Sequence, residues 1–313
     1  MANWMIQLGT ILEKLLGLFK QELLSGPLIN MDETTIQVLK ESGRDPTTKS
    51  YMWVLRGGAP DHPGVFFEYN PRRSARVAQG LLESYHGIVQ TDGYAGYNFI
   101  EQDPHMKQAG CWAHARRKFV AVLKAAGKYD KKKAKMGHAT QAVDTIGQLY
   151  DIERYAETKK LSDQQVIELR QNKSKPILDE FHQRRKDLEN KTPPKGLLGK
   201  AIAYCLERWK QLTLYCDYGF VTIDNNPAEN AIRPFVVGRK NGLFCDTVPG
   251  AVASARLYSL VETAKANKLN VYKYFKRLFE KLPCVETDQH LKELLPQYIK
   301  HSSPEIIDKE RTN

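Results

Sequence analysis

Cysteine is scarce in this 313-residue sequence. There are five (Cys111, Cys205, Cys216, Cys245 and Cys284), an odd number, widely spaced and with no CxxC pair. That excludes a disulfide framework or a zinc knuckle as the organising device and fits a reducing cytoplasm. Long apolar runs are missing as well: no stretch approaches the roughly 18 residues a membrane span needs. The opening MANWMIQLGTILEKLLGLFKQELLSG invites a signal-peptide reading, but Glu13, Lys14, Lys20, Gln21 and Glu22 interrupt it. Trp4, Leu8, Ile11, Leu12, Leu15 and Phe19 recur there at helical spacing, which predicts an amphipathic helix over 1–26, packed on the body or on a partner. Acid is in deficit, with 36 Asp and Glu against 47 Lys and Arg, a net charge of +11 and a pI near 9.2. The excess favours a polyanionic partner, nucleic acid being the commonest, although a merely basic enzyme has the same balance. What is plentiful is core material: 42% hydrophobic and 10% aromatic residues exclude wholesale disorder.

After the opening helix the pattern turns to strands. Pro27 to Thr35 (PLINMDETT), Tyr51 to Leu55 (YMWVL) and Val65 to Tyr69 (VFFEY) are β-rich runs, the last two separated by Gly- and Pro-rich turn signals. Three strands with short turns predict an antiparallel meander. PRRSARVAQGLLESY, residues 71 to 85, predicts a helix opening at Pro71. GIVQT, residues 87 to 91, is an apolar strand ending at Asp92, and a short strand near Gln108 to Trp112 leads into the basic helix AHARRKFVAVLKAA. Antiparallel strands feeding helix-linked parallel ones are the layout of a ribonuclease H-like α/β domain with a mixed sheet, here over 27–126. From 127 to 220 the strand signals disappear, while Leu149, Ile152, Tyr155, Ile177, Leu178 and Phe181 recur at helical intervals. A loop of that length is implausible inside a compact domain, so the segment predicts a large all-helical insertion. Over 221–283 come the helix of Glu229, a turn-like stretch around Gly238 to Gly242 and two closing C-terminal helices; 284–313 predicts a polar, loosely held tail.

Three acids stand on three separate elements. Asp32 lies in the first strand, Asp92 directly follows GIVQT, and Glu229 falls in the first turn of the helix that IDNNPAENAIRP opens. Three converging carboxylates would make an oxygen-rich site suited to Mg²⁺ or Mn²⁺ rather than zinc. Two such ions about 3.5–4 Å apart can activate a water or 3′-hydroxyl and stabilise the leaving oxygen of a phosphodiester. Each acid also has a plainer reading. Asp92-Gly93 is an ordinary turn signal, Asp32 and Glu33 can be solvated strand-end acids, and Glu229 can complete a capping box with Asn226 as N-cap and Pro227 as first helical residue. Adjacent strand residues point to opposite faces, so only one of Asp32 and Glu33 can reach such a site. Spacing alone leaves these readings open.

Four blocks of sequence narrow the choice. MDETTIQVL (31–39), VQTDGYAGYN (89–98), GCWAHARRKF (110–119) and IDNNPAENAIRPFVVGRKNGLF, continuing through GAVASARLYSLVETAKAN, resemble in order the blocks of the insertion sequence 66 family of transposases. The resemblance runs from about residue 2 to residue 283. It implies a catalytic domain of the aspartate-aspartate-glutamate type, with Asp32, Asp92 and Glu229 as catalytic metal ligands for two Mg²⁺ ions, Mn²⁺ substituting. It also implies a ribonuclease H-like fold with a helical insertion ahead of the glutamate, and cleavage of transposon-end DNA with transfer of the 3′-hydroxyl to target DNA. Family behaviour further implies a homo-oligomer in the DNA complex, in the bacterial cytoplasm at the nucleoid. Family members usually carry a coiled-coil-like stretch and a cysteine-containing DNA-binding module ahead of the catalytic part. The resemblance here begins at the ANW segment, so autonomous recognition of transposon ends is not expected. Gly242 stands where the family has a tryptophan, a departure expected to alter packing.

Basic residues near the acids are the candidates for DNA contact: Arg116, Arg117 and Lys118 on the basic helix, with Lys131, Lys132 and Lys133 beyond it, and Arg233, Arg239 and Lys240 after Glu229. Such contacts supply salt-dependent affinity without reading sequence, and a solvated helix face is the alternative. His114 is either a group that orients a phosphate or a packed structural histidine. Tyr94 and Tyr97 are either stacking platforms or core. Two further functions fit the same residues: a truncated, non-catalytic DNA-binding or assembly protein, and a ribonuclease H-like nuclease that cuts without joining.

Overall fold

The alternation that begins at Leu28 carries one long strand. In the computed structural model, which describes residues 2–59, 61–127, 137–302 and 304–307, it runs over Leu28–Lys40 as β1. Ahead of it lie α1 (Ala2–Ile11) and α2 (Glu13–Leu24). After it come β2 (Lys49–Gly57), β3 (Gly64–Asn70), α3 (Ala75–Leu81), β4 (Gly87–Gln90), β5 (Met106–Ala109) and α4 (Trp112–Ala125). A helical series follows: α5 (His138–Thr158), α6 (Asp163–Leu169), α7 (Lys175–Glu189), α8 (Leu197–Glu207) and α9 (Trp209–Thr213). The chain ends through α10 (Asn226–Gly242), β6 (Cys245–Thr247), α11 (Val248–Ala266), α12 (Val271–Lys281), α13 (Asp288–Lys292) and α14 (Pro296–Ser302). The sheet is mixed, ordered β3-β2-β1-β4-β5. β1–β2 and β2–β3 are antiparallel, as the meander expectation has it, and β6 pairs with β1 in parallel. The chain is therefore mixed α/β. It divides into two compact units, one of Met1–Val89, Ala95–Lys107 and Pro227–Asn313, the other of Gln90–Tyr94 and Gln108–Asn226.

In the first unit, one face of the meander presents Ile36, Val38, Met52, Val54, Val65 and Phe67. Onto it α10 lays Ala228, Ala231, Ile232 and Phe235, spaced as one helical stripe, and α11 adds Ala251 and Ala255. The small alanines let the helices approach, and burying Ile232 and Phe235 contributes about 1.5–3 kcal/mol each. β3 borders the sheet, and α11 covers its free edge: Ser259 Oγ accepts from the Phe67 N–H (2.8 Å) and Thr263 Oγ1 from the Val65 N–H (2.9 Å). Asn267, one turn on, donates Nδ2–H to Pro63 O at 2.8 Å.

Several boundaries differ from those read in the sequence. The opening segment is two helices, with Leu12, Leu15 and Phe19 buried but Trp4 and Ile11 exposed. It packs on the chain's own α11. Gly9 lies against Ala253, where an added Cβ would sit 3.0 Å from its backbone and side chain, and Arg256 donates to Gly9 O at 2.9 Å. The helix after Pro71 starts only at Ala75, following Ser74, because Arg73 turns to pair with Glu33. The strand expected near Gln108 to Trp112 ends at Ala109, and Trp112 already opens α4. Gly238 to Gly242 is no turn but the end of α10. Gly238 is a close approach, since a Cβ there would meet the Tyr258 hydroxyl at 2.4 Å. The stretch from 288 to 299 is not loosely held: Leu291, Leu294, Leu295 and Ile299 are buried.

In the second unit α4, α7 and α9 meet through aromatic side chains. Phe181 stands edge-on to Trp112 (5.6 Å between ring centres) and stacks with Trp209 (6.2 Å). The Trp112 indole N–H donates to Leu212 O at 2.7 Å, and the buried Arg185 guanidinium lies 4.8 Å from the Phe181 ring. Where α6 meets α7 the helix takes a π turn, Arg170–Ser174. That turn aims Arg170 inward, to a fork with Glu153 (2.9 and 2.5 Å) and to the carbonyls of Tyr215 (2.7 Å) and Tyr218 (2.9 Å).

Candidate functional site

Asp32 and Glu33 are separated by strand parity. Asp32 pairs with Val54, a member of the cluster under α10, and so shares the sheet face that α10 covers. Glu33 pairs with Trp53 and faces the other way. Its carboxylate accepts from the Tyr97 hydroxyl and is paired with the Arg73 guanidinium. Tyr97 is buried, edge-on to Trp53 at 6.3 Å, so it belongs to the core. Of the two neighbouring acids, Asp32 lies on the face of the helix that carries Glu229.

Glu229 is half-buried in the first turn of α10. The helix opens at Asn226, which makes Pro227 its second residue and Glu229 its fourth, one past the position a capping box uses. Asp224 holds the same helix end. Its Oδ1 accepts the Asn226 N–H (3.0 Å), and its Oδ2 accepts from the Asn226 side chain and from the Tyr150 hydroxyl, both at 2.7 Å. Asp224 is 5% exposed and its neighbour Asn225 is fully buried, donating its N–H to the Cys111 sulfur at 3.2 Å. Burial and the Asp224 charge hold the Tyr150 phenol well above the ordinary tyrosine value.

Asp92 belongs to the second unit. It closes an Asx turn, with Oδ1 accepting the Tyr94 N–H at 2.8 Å, and its carbonyl accepts from the Tyr204 hydroxyl at 2.9 Å. Gly93 takes φ +88, and a side chain there would press on Arg208 and Tyr204, so the turn requires glycine. As donors, three carboxylates suit a hard cation such as Mg²⁺. Among the described residues no group of three or more His, Cys, Asp or Glu side chains could hold a metal ion.

The basic candidates divide into occupied and exposed. Arg239 turns back onto β1, donating to the Thr35 carbonyl and to the hydroxyls of Thr34 and Thr35 (3.1 Å each), so it ties the end of α10 to the sheet. Arg233 and Lys240 are exposed on α10, and Arg117 and Lys118 on α4; Lys118 also rests over the Tyr204 ring at 4.5 Å. Arg116 lines a groove of about 650 Å³ between α4 and α5 together with Gly147, Tyr150 and Arg154. His114 contacts the Cys111 sulfur (3.2 Å) through Nδ1 and Arg117 (3.3 Å) through Nε2. The pair is no nucleophile with its base, since Cys111 is buried and burial pushes its thiol up to about 11. Lys131, Lys132 and Lys133 lie outside the described residues. Sequence reasoning missed Asp224, Tyr150 and the α4–α5 groove; the only signal was an Asp-Asn-Asn run in which any member can cap.

No described helix is long and apolar enough to cross a membrane. No solved structure matches the chain. It is 32% identical over 286 residues to the uncharacterized protein y4jD of Sinorhizobium fredii, covering 87% of this chain and 53% of that protein. It is 30% identical over 280 residues to y4qI of the same organism, covering 85% and 50%. The chain thus spans about half the length of the curated relatives it matches. The Transposase IS66 family matches residues 1–253 and the IS66 C-terminal element residues 259–297. On this match, running through both the sheet and the helical unit, the chain belongs to the IS66 transposase family.

Proposed function

We propose that this chain is the catalytic portion of a DNA transposase of the aspartate-aspartate-glutamate type, on a ribonuclease H-like fold. In this reading it cuts phosphodiesters at transposon ends and transfers the 3′-hydroxyls to target DNA. Family membership supports the transposase role. The observation that carries the finer reading is the disposition of the acids in the first unit. Asp32 shares a sheet face with α10, the helix that carries Glu229, while Glu33 is turned away and paired with Arg73.

Asp32, Asp92 and Glu229 would hold the divalent ions, two Mg²⁺ with Mn²⁺ as substitute. Bound there, such ions supply a lowered pKa for the attacking hydroxyl and neutralise charge on the phosphate. The chain's own residues do the positioning. The Tyr94 N–H and the Gly93 turn fix the Asp92 carboxylate, and the half-buried Arg116 with the exposed Arg117, Lys118, Arg233 and Lys240 meet backbone phosphates. The working form is a homo-oligomer on DNA.

The test is nicking of supercoiled DNA with Mg²⁺ or Mn²⁺, wild type against Glu229→Gln. Wild type is expected to nick, and the folded variant is not. Equal nicking by both would remove Glu229 from the site. Absence of strand-transfer products beside nicking would favour a nuclease that cuts without joining. The rival reading, a DNA-binding or assembly protein without catalysis, predicts metal-independent binding and no nicking by either form.

A further inference from the structure

Gly147 sits inside the long helix α5, where a glycine destabilises the helix relative to alanine. Most such glycines are explained by a neighbour that a side chain would strike. Here no described residue lies within 4 Å of where a Cβ would stand, so packing among the described residues does not require the glycine. What lies there is the groove between α4 and α5, about 650 Å³, within the size range of small-ligand sites.

Its lining is chemically mixed. Ala113 and Val143 give apolar surface on either side of Gly147, and the Tyr150 ring forms part of the wall, its hydroxyl held by the buried Asp224. Arg116 and Arg117 come from α4. Arg154 stands about two turns along α5 from Gly147 and is paired with Asp151, but both are largely exposed, so that pair is easily exchanged for another anion. Asp144, Gln148 and the Asn226 side chain add acceptors and donors. Arginines alone would suit a bare phosphate, and an apolar wall alone a hydrophobic ligand. Arginines, an anchored aromatic ring, a side-chain-free floor and acids that can accept from amino groups together match a nucleotide: phosphate, planar base and the base's polar edge.

We propose that the α4–α5 groove receives a single unstacked nucleotide of a DNA strand, its base against Tyr150 and the open floor at Gly147, its flanking phosphates at Arg116 and Arg154. This rests on the reading of the chain as a DNA-processing protein, and adds to it a pocket for single-stranded DNA, such as a strand end melted before cutting. Arginines on both walls favour a strand, with phosphates on either side of the base, over a free nucleotide.

The experiment uses the full chain and a 12-nucleotide single strand carrying one 2-aminopurine, read by anisotropy and by quenching, beside the same sequence as duplex. Wild type is expected to bind the single strand with quenching, and Gly147→Ala to behave the same. Gly147→Phe, whose ring would fill open space rather than clash, is expected to weaken single-strand binding at least tenfold and abolish quenching while its thermal unfolding stays cooperative. Arg154→Glu, at an exposed position, gives a second reading should the phenylalanine variant misfold, and is also expected to lose at least tenfold. Wild-type-like binding and quenching by the folded Gly147→Phe variant would overturn the pocket and leave the DNA reading standing. Failure of wild type to bind either form of DNA would overturn both. Full competition by submillimolar deoxyadenosine monophosphate would overturn the strand assignment in favour of a free nucleotide.

Discussion

The two units tie side chains to their backbone in opposite ways. In the first, the free edge of β3 leaves N–H and C=O groups of Val65 and Phe67 without a strand partner, and neutral hydroxyls of Ser259 and Thr263 satisfy them. In the second, the carbonyls of Tyr215 and Tyr218 each accept a turn N–H, from Tyr218 (3.4 Å) and Val221 (3.1 Å), and the Arg170 guanidinium, forked onto Glu153, gives each a second, charged donor. A hydroxyl carries little desolvation penalty and can be removed at modest loss. A buried guanidinium is held only by its full set of partners, and those partners suffer in turn if it leaves. The sheet unit is thereby insured against edge-to-edge association, whereas the helical unit is committed to one arrangement of its π turn.

The largest expected effect follows from that contrast. Arg170→Ala removes a side chain 3% exposed and takes the guanidinium from the largely buried Glu153, so it should lose about 3–5 kcal/mol in urea unfolding. Arg170→Lys keeps the charge but not the planar fork and should fall between. A loss below about 1 kcal/mol for the alanine variant would break the comparison, since it would make the buried charge no more demanding than a hydroxyl. Next in size is Thr263→Val, nearly isosteric, which leaves the Val65 N–H buried and unpaired at about 1–3 kcal/mol. Its signature is local: faster hydrogen exchange at Val65 and slower change elsewhere. Protection at Val65 equal to wild type would show that the edge is covered by packing rather than by the hydroxyl.

Neither device was legible in the sequence, for a shared reason. Ser259 and Thr263 sit in SLVETAKAN and Arg170 in IELRQNKSK, where hydroxyls and cations at helical spacing look like any solvated face. Periodicity reports which residues are apolar, not which polar ones turn inward. It served well where burial is apolar. The meander was readable from PLINMDETT, YMWVL and VFFEY, and β1 ran past Thr35 because Ile36 and Val38 continue the alternation. At the candidate site, parity alone put Asp32 and Glu33 on opposite faces. Which one faces α10 depended on Arg73 and Tyr97, 40 and 64 residues away. The cap at Asp224 and the α4–α5 groove were hidden for a further reason: their partners are brought together from Ala113 to Arg154 and Asn226, and no local pattern records that.

The smallest effect concerns the thiols. Burial pushes Cys111 and Cys216 up to about 11 and Cys205 up to about 12, all in the helical unit, whereas Cys284 in the first unit is exposed. For an acid whose folded pKa is raised, the unfolded chain ionises first. Its contribution is whole below the ordinary thiol value of 9.0 and is lost as pH climbs from there towards the folded value. At pH 10 a site like Cys205 should already have lost roughly 1 kcal/mol relative to neutral pH. Cys205→Ala opens a small cavity and should be the less stable protein at pH 7.5, but it cannot lose what the thiol loses. The gap between variant and wild type in urea midpoint should therefore narrow by pH 10. The buried tyrosines ionise alike in both proteins and cancel from that difference. A gap that stays constant between the two pH values would mean that the Cys205 thiol ionises as readily folded as unfolded, and that water reaches a residue on which the closed core of the helical unit depends.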